Sequence, residues 1–355
     1  MRKLALAGLA AVLLNLLPGL ACAGGTPISW FEPRQFAQLP EGLRYPEGIT
    51  ANPANGDIVV GTFDFGPNTN ALLRYDRDGN LVARKDMGAM PLLGLGFLQG
   101  KVYVLNMGAQ KVQRIAAAFD ATTPLEDVAD VPKVGAPADR SVPNPDGSSD
   151  TIRFGSNSFA APNAMAFDAA GNLYFSDSFQ GAIFKVPAVA TCSVTCPVIM
   201  LSHDGLLGTP GFPPFGANGL AISADGLTMY IANTGDNRVL AMDMRNGKVS
   251  VFAESVHGAD GLLFDNQGNL WVAANQGDQL VALDGKGKAI AKVGEFLGLR
   301  RDGSPAGFLF PASMVIFDGV MYVTNTALPL TDAKGDEPEE DVRRWNIVRL
   351  RVTRH

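Results

Sequence analysis

The sequence predicts an all-β fold, a six-bladed β-propeller with four antiparallel strands in each blade. Three observations predict it. The 355 residues include 40 glycines and 23 prolines, a composition typical of short strands separated by turns. The chain has no long stretch with helical periodicity. A pattern of strand-like runs recurs six times along it, as expected for the blades of a propeller.

The repeat is clearest between residues 218 and 252, where runs at 218–222, 229–233, 238–242 and 249–252 are joined by turns such as Ala224-Asp225-Gly226. Further copies start at residues 47, 94, 163, 260 and 313. The sixth copy has no evident fourth strand, so we expect the N-terminal segment 28–36 to supply it and close the ring. A pair of β-sandwiches or a β-helix is the alternative, but six copies with hairpin spacing favour the propeller.

Residues 1–23 have the layout of a secretory signal peptide, with Arg2-Lys3, an apolar run over 4–14 and Ala21-Cys22-Ala23. A lipoprotein signal through Cys22 is the weaker alternative, because Gly19 stands where such signals usually carry leucine. The rest of the chain, 24–355, is predicted to be one exported propeller domain, periplasmic or extracellular. No second apolar stretch is long enough to span a membrane.

The charge balance excludes a polybasic nucleic-acid binder. The chain has 29 basic and 35 acidic residues, a net charge of -6, and no long cluster of lysine and arginine. The expected partner is therefore a small molecule, and the sequence does not indicate an oligomeric state.

Two cysteines remain after export, Cys192 and Cys196, and we expect them to form a short structural disulfide in an oxidising compartment. A metal pair is the alternative. It would need further cysteine or histidine nearby, and the chain holds only His203, His257 and His355 besides.

The first strand of each blade in a propeller is the innermost, so the leading residues of the six repeats are expected to converge around the axis. These residues are Glu47, Gly94, Asn163, Asn218, Asp260 and Ser313. Four of the six carry oxygen ligands. Such residues before a small residue are also common in turns, but four of them at equivalent repeat positions favour a metal site.

Carboxylates and amides together suit calcium, which takes six to eight oxygen ligands. Zinc would require His and Cys, and magnesium is less suited to a wide ring of ligands. Glu47 and Asp260 supply two negative charges to match one divalent ion; without the ion, their repulsion would raise the pKa of one of them.

The repeats resemble the SMP-30/gluconolactonase-like family, which includes calcium-dependent lactonases and diisopropylfluorophosphatase-like enzymes. The segments that carry the resemblance are Pro46-Glu47-Gly48, Pro162-Asn163-Ala164, Ala217-Asn218-Gly219, Ala259-Asp260-Gly261 and Tyr230-Ile231-Ala232-Asn233-Thr234. The resemblance covers most of the mature chain. It implies a six-bladed propeller with a catalytic calcium bound by Glu47, Asn163, Asn218 and Asp260. The paraoxonases are similar, but the Asp that binds their second, buried calcium is replaced here by Gly48 and Ala164, which leaves a second structural ion unsupported.

Strand direction places the longest connections on the metal face. They are 133–162, 203–217, 296–312 and 326–344. Six aromatic residues in them are candidate walls of an apolar substrate pocket: Phe154, Phe159, Phe212, Phe215, Phe308 and Phe310. The alternative is that these rings pack on the rim of the propeller. The segment between Cys192 and Cys196 falls on the opposite face.

Two functions follow from these features. The first is a calcium-dependent hydrolase of a lactone or related ester, in which Asp260 activates water or attacks the substrate and His257 is a candidate proton shuttle. A lone loop histidine is more often a bystander. The chain has neither a G-x-S-x-G nor an H-E-x-x-H motif. The second is an exported, non-catalytic propeller that binds a ligand or partner through its aromatic loops.

Overall fold

The computed structural model describes residues 32–156, 159–193, 195–331 and 333–351. Six four-stranded antiparallel sheets are arranged around one axis, and their innermost strands contact one another in a closed ring. The predicted six-bladed β-propeller is therefore confirmed. The predicted signal peptide, 1–23, lies outside the described residues, as does His355.

The strands follow one another from the axis outwards in each blade. Blade 1 contains β2 (Pro46–Ala51), β3 (Ile58–Thr62), β4 (Asn70–Tyr75) and β5 (Leu81–Gly88), and blade 2 contains β6 (Leu92–Leu98), β7 (Lys101–Asn106), β8 (Lys111–Ala116) and β9 (Glu126–Asp130). Blade 3 contains β12 (Pro162–Phe167), β13 (Leu173–Asp177), β14 (Ala182–Val186) and β15 (Ile199–His203). Blade 4 contains β16 (Ala217–Ile222), β17 (Thr228–Asn233), β18 (Arg238–Asp243) and β19 (Val249–Glu254), and blade 5 contains β20 (Ala259–Phe264), β21 (Leu270–Ala274), β22 (Gln279–Leu283) and β23 (Ala289–Val293).

The two ends of the chain complete blade 6 together. Its inner strands are β26 (Pro311–Phe317), β27 (Val320–Asn325) and β28 (Asn346–Arg351), and its outermost strand is β1 (Arg34–Gln38), which pairs antiparallel with β28. The N-terminal segment thus closes the ring as predicted, with a strand at 34–38 that overlaps the predicted segment 28–36, of which residues 28–31 lie outside the described residues. Both edges of β28 are therefore paired.

Two short hairpins are inserted between blades. One consists of β10 (Arg140–Pro143) and β11 (Ser149–Ile152), and the other of β24 (Phe296–Leu299) and β25 (Pro305–Gly307). Both fall in connections from a fourth strand to the next first strand, which the strand directions place on a single face of the propeller. The described helical segments are short 3-10 turns, and none has the length and apolar character needed to cross a membrane.

The core lies between blades. Side chains alternate along each strand, so Phe175 of β13 packs toward blade 2 while its neighbour Tyr174 packs toward blade 4. Equivalent clusters fill the other gaps between adjacent blades. Blade packing therefore fixes the position of each inner strand around the axis.

Candidate metal centre and active site

A bulge interrupts the pairing of every innermost strand at the same place. In β2 the register shifts between Pro46 and Ile49, and the same shift follows the first residue of the innermost strand in the other five blades. The two residues within a bulge leave the regular ladder. The first of them lines a cavity at the axis in all six blades.

This bulge position is occupied by Glu47, Leu93, Asn163, Asn218, Asp260 and Ala312 in blades 1 to 6. The four polar residues are those predicted from the sequence. In blades 2 and 6 the equivalent residues are Leu93 and Ala312, one position before the predicted Gly94 and Ser313. The structure therefore brings four oxygen-bearing side chains and two apolar ones to the axis.

Three of the four predicted ligands hold an oxygen with no hydrogen-bond partner. Among the described residues, these buried and unpartnered atoms are Oε2 of Glu47, Oδ1 of Asn163 and Oδ1 of Asp260. Each parent residue is no more than 5% exposed. Buried polar atoms in native proteins are almost always paired, so three unpaired acceptor oxygens in one cavity indicate a place for a cation.

Each of three ligands is oriented by a residue of its own blade. Nδ2 of Asn163 donates to Oγ of Ser178 at 2.9 Å, and Nδ2 of Asn218 donates to Oγ1 of Thr234 at 2.9 Å. Because the amide nitrogen is held in this way, the amide oxygen of Asn163 is left unpaired. Both hydroxyls in turn donate to main-chain carbonyls of the next blade, Ser178 to Ala217 and Thr234 to Ala259, each at 2.7 Å.

Asn275 orients Asp260 in the same way, except that here the orienting side chain donates the hydrogen bond and the ligand accepts it. Its Nδ2 donates to Oδ2 of Asp260 at 3.0 Å, which leaves Oδ1 of Asp260 unpaired. Oδ1 of Asn275 lies against Gly258, where an added Cβ would come within 1.8 Å of it. Gly258 also has a φ of +61°, a second reason for glycine there.

These three orienting residues were not predicted from the sequence. A signal for them exists, since Ser178, Thr234 and Asn275 follow their ligands by 15, 16 and 15 residues. The repeat that located the ligands therefore also locates their partners.

The small residue after each ligand serves blade packing. A Cβ on Gly219 would lie 2.1 Å from the carbonyl oxygen of Asp260, and one on Gly48 would lie 2.1 Å from that of Leu93. Real Cβ contacts are never this short, so glycine allows adjacent inner strands to approach closely.

Burial disfavours charge on both carboxylates. It raises the pKa of Glu47 well above its ordinary value, and the negative charge of Asp260 raises it further, whereas a hydrogen bond with Ser313 lowers it. Burial also raises the pKa of Asp260, against hydrogen bonds with Asn275 and Asn218. A cation between them would offset both effects, and its binding would release protons.

The donor set fits a hard cation. Glu47, Asn163, Asn218 and Asp260 offer two carboxylates and two amides and no nitrogen or sulfur ligand, as calcium prefers. Within the described ranges, no group of three or more His, Cys, Asp or Glu side chains is arranged to hold a metal. The axial set, with only two acids, is the arrangement in the described residues that leaves several buried oxygens unpaired in one cavity.

The cavity above these residues has apolar walls. It measures about 40 Å³, room for an ion and a water. Phe63, Pro213 and Phe310 are buried in its lining, and the half-buried Phe215, Leu328 and Leu330 lie at its mouth.

The six predicted wall residues have three different locations. Phe215 and Phe310 line the cavity. Phe159 and Phe212 are 39% and 58% exposed on the same face. Phe154 and Phe308 do not reach the cavity, which corrects the prediction for them: Phe154 packs on Gly205 and Gly208 beneath the side chain of Arg140, and Phe308 is fully buried in the cluster between blades 5 and 6.

His257 lies exposed in the connection between β19 and β20 and is not among the residues that line the cavity. Cys192 and Cys196 form the predicted disulfide, in the connection between the third and fourth strands of blade 3. That connection is on the face opposite the cavity.

The fold and the axial oxygens define a class, the six-bladed propellers with a polar site at one end of the central channel. Residues 212–294 match the family model of the SMP-30/gluconolactonase/LRE-like region. The resemblance predicted from the sequence is therefore confirmed for this part of the chain. No curated protein matches it in sequence.

Solved structures of low sequence identity share the fold. A luciferin-regenerating enzyme is 16% identical, with a TM-score of 0.59 over 88% of this chain and 92% of that chain. Regucalcin of Agrobacterium tumefaciens, a calcium-binding protein, is 18% identical, with a TM-score of 0.57 over 89% and 94%. A gluconolactonase of Xanthomonas campestris is 15% identical, with a TM-score of 0.55 over 90% and 94%.

Proposed function

We propose that the protein is an exported hydrolase that uses one calcium ion at the propeller axis to open a lactone or cleave a related ester. The observation that carries the proposal is the set of buried, unpartnered oxygens of Glu47, Asn163 and Asp260 in one cavity. The family match and the regucalcin and gluconolactonase folds support the same class of activity. Calcium is abundant outside the cell, which agrees with the predicted export.

Glu47, Asn163, Asn218 and Asp260 would hold the ion. A bound calcium supplies Lewis acidity, which polarises the substrate carbonyl and stabilises the negative charge that develops on its oxygen. The chain itself orients three of the four ligands, Asn163, Asn218 and Asp260, through Ser178, Thr234 and Asn275. It also excludes bulk water from the cavity through its apolar walls.

Asp260 is the proposed catalytic carboxylate. Asn275 occupies its Oδ2, so Oδ1 is available for chemistry. As a general base, Oδ1 takes a proton from water while the water oxygen bonds to the carbonyl carbon; the ring C–O bond then breaks, and the leaving oxygen takes up a proton to give a hydroxy acid. As a nucleophile, Oδ1 attacks the same carbon, and water releases the acyl group afterwards.

His257 stays a prediction as a proton shuttle. Its exposed position in the β19–β20 connection favours a proton exchange with solvent over contact with the reacting atoms. Replacement of His257 by Gln tests it: a change in the pH profile of kcat would support the shuttle, and an unchanged profile would remove the role.

A binding-only propeller is the second candidate. The observation in its favour is the exposure of Phe65 and Phe212, 61% and 58%, on the face that carries the cavity, because exposed aromatic residues mark interaction sites.

One experiment separates the two functions. The purified protein is stripped with chelator, titrated with calcium by calorimetry, and assayed on lactones, aryl esters and phosphotriesters with and without the ion. The hydrolase predicts one site and activity that returns with calcium. Calcium binding without hydrolysis of any of the three classes would favour the binding propeller, and no binding would remove the metal site.

A further inference from the structure

The walls of the axial cavity are mainly apolar, which bears on the kind of substrate that the cavity can hold. Apart from the ligands, their partners and Thr326, the lining consists of apolar side chains, among them Phe63, Leu93, Phe215, Phe310, Leu328 and Leu330. Glu47 and Asp260 are its charged members, and both lie at the axis.

The neutral polar side chains of the lining already donate hydrogen bonds within the protein. Thr234 donates its hydroxyl proton to the carbonyl of Ala259, and Thr326 donates to that of Pro46 at 2.6 Å. The amide groups of Asn163, Asn218 and Asn275 are bound to Ser178, Thr234 and Asp260. The unpaired side-chain atoms of the lining are acceptor oxygens, which belong to Glu47, Asn163, Asp260 and Asn275. The hydroxyls of a sugar lactone that lie against the apolar walls would lose their hydrogen bonds with water and find no partner there, at the cost of their desolvation.

A continuous series of aromatic rings leads from the cavity to the surface. Phe215 in the lining lies 6.3 Å from Phe63 and 5.2 Å from Phe179, measured between ring centroids. Phe63 continues to Phe65 at 4.7 Å, and Phe179 continues to Phe159 at 6.3 Å. The outer rings are substantially exposed, Phe65 at 61% and Phe159 at 39%. These rings form a path across the mouth, here called the aromatic path, along which an apolar group gains contact all the way out.

We infer that the substrate of this site is a lactone or ester whose non-reacting part is an apolar alkyl or aryl group, and not a polyhydroxylated sugar lactone. The reacting carbonyl enters the small cavity at the axis, and the apolar group lies across Phe215 and the aromatic path. The inference rests on the proposed hydrolase function. It adds the part of the substrate that the metal site does not specify.

The test is a substrate series at saturating calcium: an unsubstituted δ-lactone, the same ring with alkyl chains of increasing length, and glucono-δ-lactone. We expect kcat/KM to rise by up to about fourfold for each methylene that the walls bury, and glucono-δ-lactone to be the poorest substrate. Phe215→Ala and Phe65→Ala should flatten the dependence of kcat/KM on chain length.

Leu297→Ala is the matched control. Leu297 is 61% exposed, like Phe65, but lies on the β24–β25 hairpin and away from the lining of the cavity. Its loss should not alter the dependence on chain length. Thermal unfolding of each variant checks that the fold is kept, and Phe65→Ala, a surface change, preserves the test if Phe215→Ala does not fold.

The outcomes separate this inference from the proposed function. Hydrolysis with a preference for glucono-δ-lactone, or with no effect of chain length, overturns the inference and keeps the hydrolase. If no lactone is hydrolysed, binding of an alkyl δ-lactam, which resists hydrolysis, is measured by calorimetry. Binding that weakens in Phe215→Ala would support the apolar site without the activity, and absence of binding would overturn it.

Discussion

The inner strands of blades 3 to 5 and of blade 2 have the same backbone bulge at the axis, but the side chains there are polar in blades 3 to 5 and apolar in blade 2. Each inner strand has the bulge at the same position. In blades 3 to 5 the bulge residue is polar and a second polar residue orients it. In blade 2 the corresponding pair is Leu93 and Met107, both buried and apolar. The bulge residue and the orienting residue are thus either both polar or both apolar. The polar pairs of blades 3 to 5 form one arc of the cavity wall, here called the polar arc, and the apolar pair of blade 2 lies in the opposite arc.

Blade 1 combines both kinds of side chain. Glu47 occupies the bulge, but Phe63 stands where the orienting residue is expected, and the carboxylate interacts instead with Ser313 of blade 6. The comparison indicates that the site needs a carboxylate on both sides of the axis, from Glu47 and Asp260. Side chains that orient the ligands are present only in blades 3 to 5. Substitutions on each side of the axis can test this division.

Asp260→Asn should abolish most of the hydrolysis, with a loss on the order of a hundredfold or more in kcat if Asp260 is the base or nucleophile. The fold and much of the calcium binding should remain, because asparagine already occupies the same position in two other blades. The measurements are the rate and a calorimetric calcium titration. Asp284→Asn, on an exposed turn of the same blade, is the control. A variant that binds calcium and reacts at the parent rate would limit Asp260 to a structural role.

Ser178→Ala should weaken calcium binding by about 10- to 100-fold, the usual effect of removing a group that orients a metal ligand. The substitution leaves Nδ2 of Asn163 and the carbonyl of Ala217 without their hydroxyl partner. Ser178→Thr is the matched control, since Thr234 fills the equivalent place in blade 4, and it should bind calcium like the parent. Equal affinity in Ala and Thr variants would contradict the orienting role.

Gly219→Ala and Gly48→Ala should each lower the free energy of unfolding by about 1–3 kcal/mol, because the added Cβ meets a main-chain carbonyl of the next blade. Gly219 belongs to the polar arc, and Gly48 packs on the apolar blade 2, so similar losses would show that the backbone geometry is common to both sides. Denaturant unfolding measures them. Gly285→Ala, which meets nothing within 4 Å, is the control. A loss at one site only would restrict the close approach to that pair of blades.

The sequence was sufficient for the features that repeat. Strand alternation, six copies and the recurring Glu, Asn and Asp before a small residue predicted the ring and its four oxygen-bearing residues. Ser178, Thr234 and Asn275 were within reach of the same logic, since they too recur. The exact bulge position in blades 2 and 6 was not, because Leu93 and Ala312 carry no polar side chain to mark it.

Loop side chains were the least predictable part. Phe308 and Phe310 are two residues apart, yet one is buried between blades and the other lines the cavity. The positions of the two side chains depend on tertiary contacts, such as the hydrogen bond from the main-chain nitrogen of Phe310 to Asp278 at 2.8 Å. No local pattern in the sequence encodes those contacts.

The last expected effect is a pH dependence of stability that arises at Asp260. Burial raises the pKa of Asp260 in the ion-free protein to about 7, against 3.8 as its ordinary value. The folded state therefore holds a proton that the unfolded state has lost, and stability falls as the pH rises from about 3.8 through about 7. In chelator, Asp260→Asn should flatten this decline in the unfolding temperature, while Leu93→Ala should lower the temperature at every pH without changing its slope. Calcium should reverse the decline in the parent, because the ion binds the ionised carboxylates. An Asp260→Asn variant with the parent's slope in chelator would assign the proton to another group.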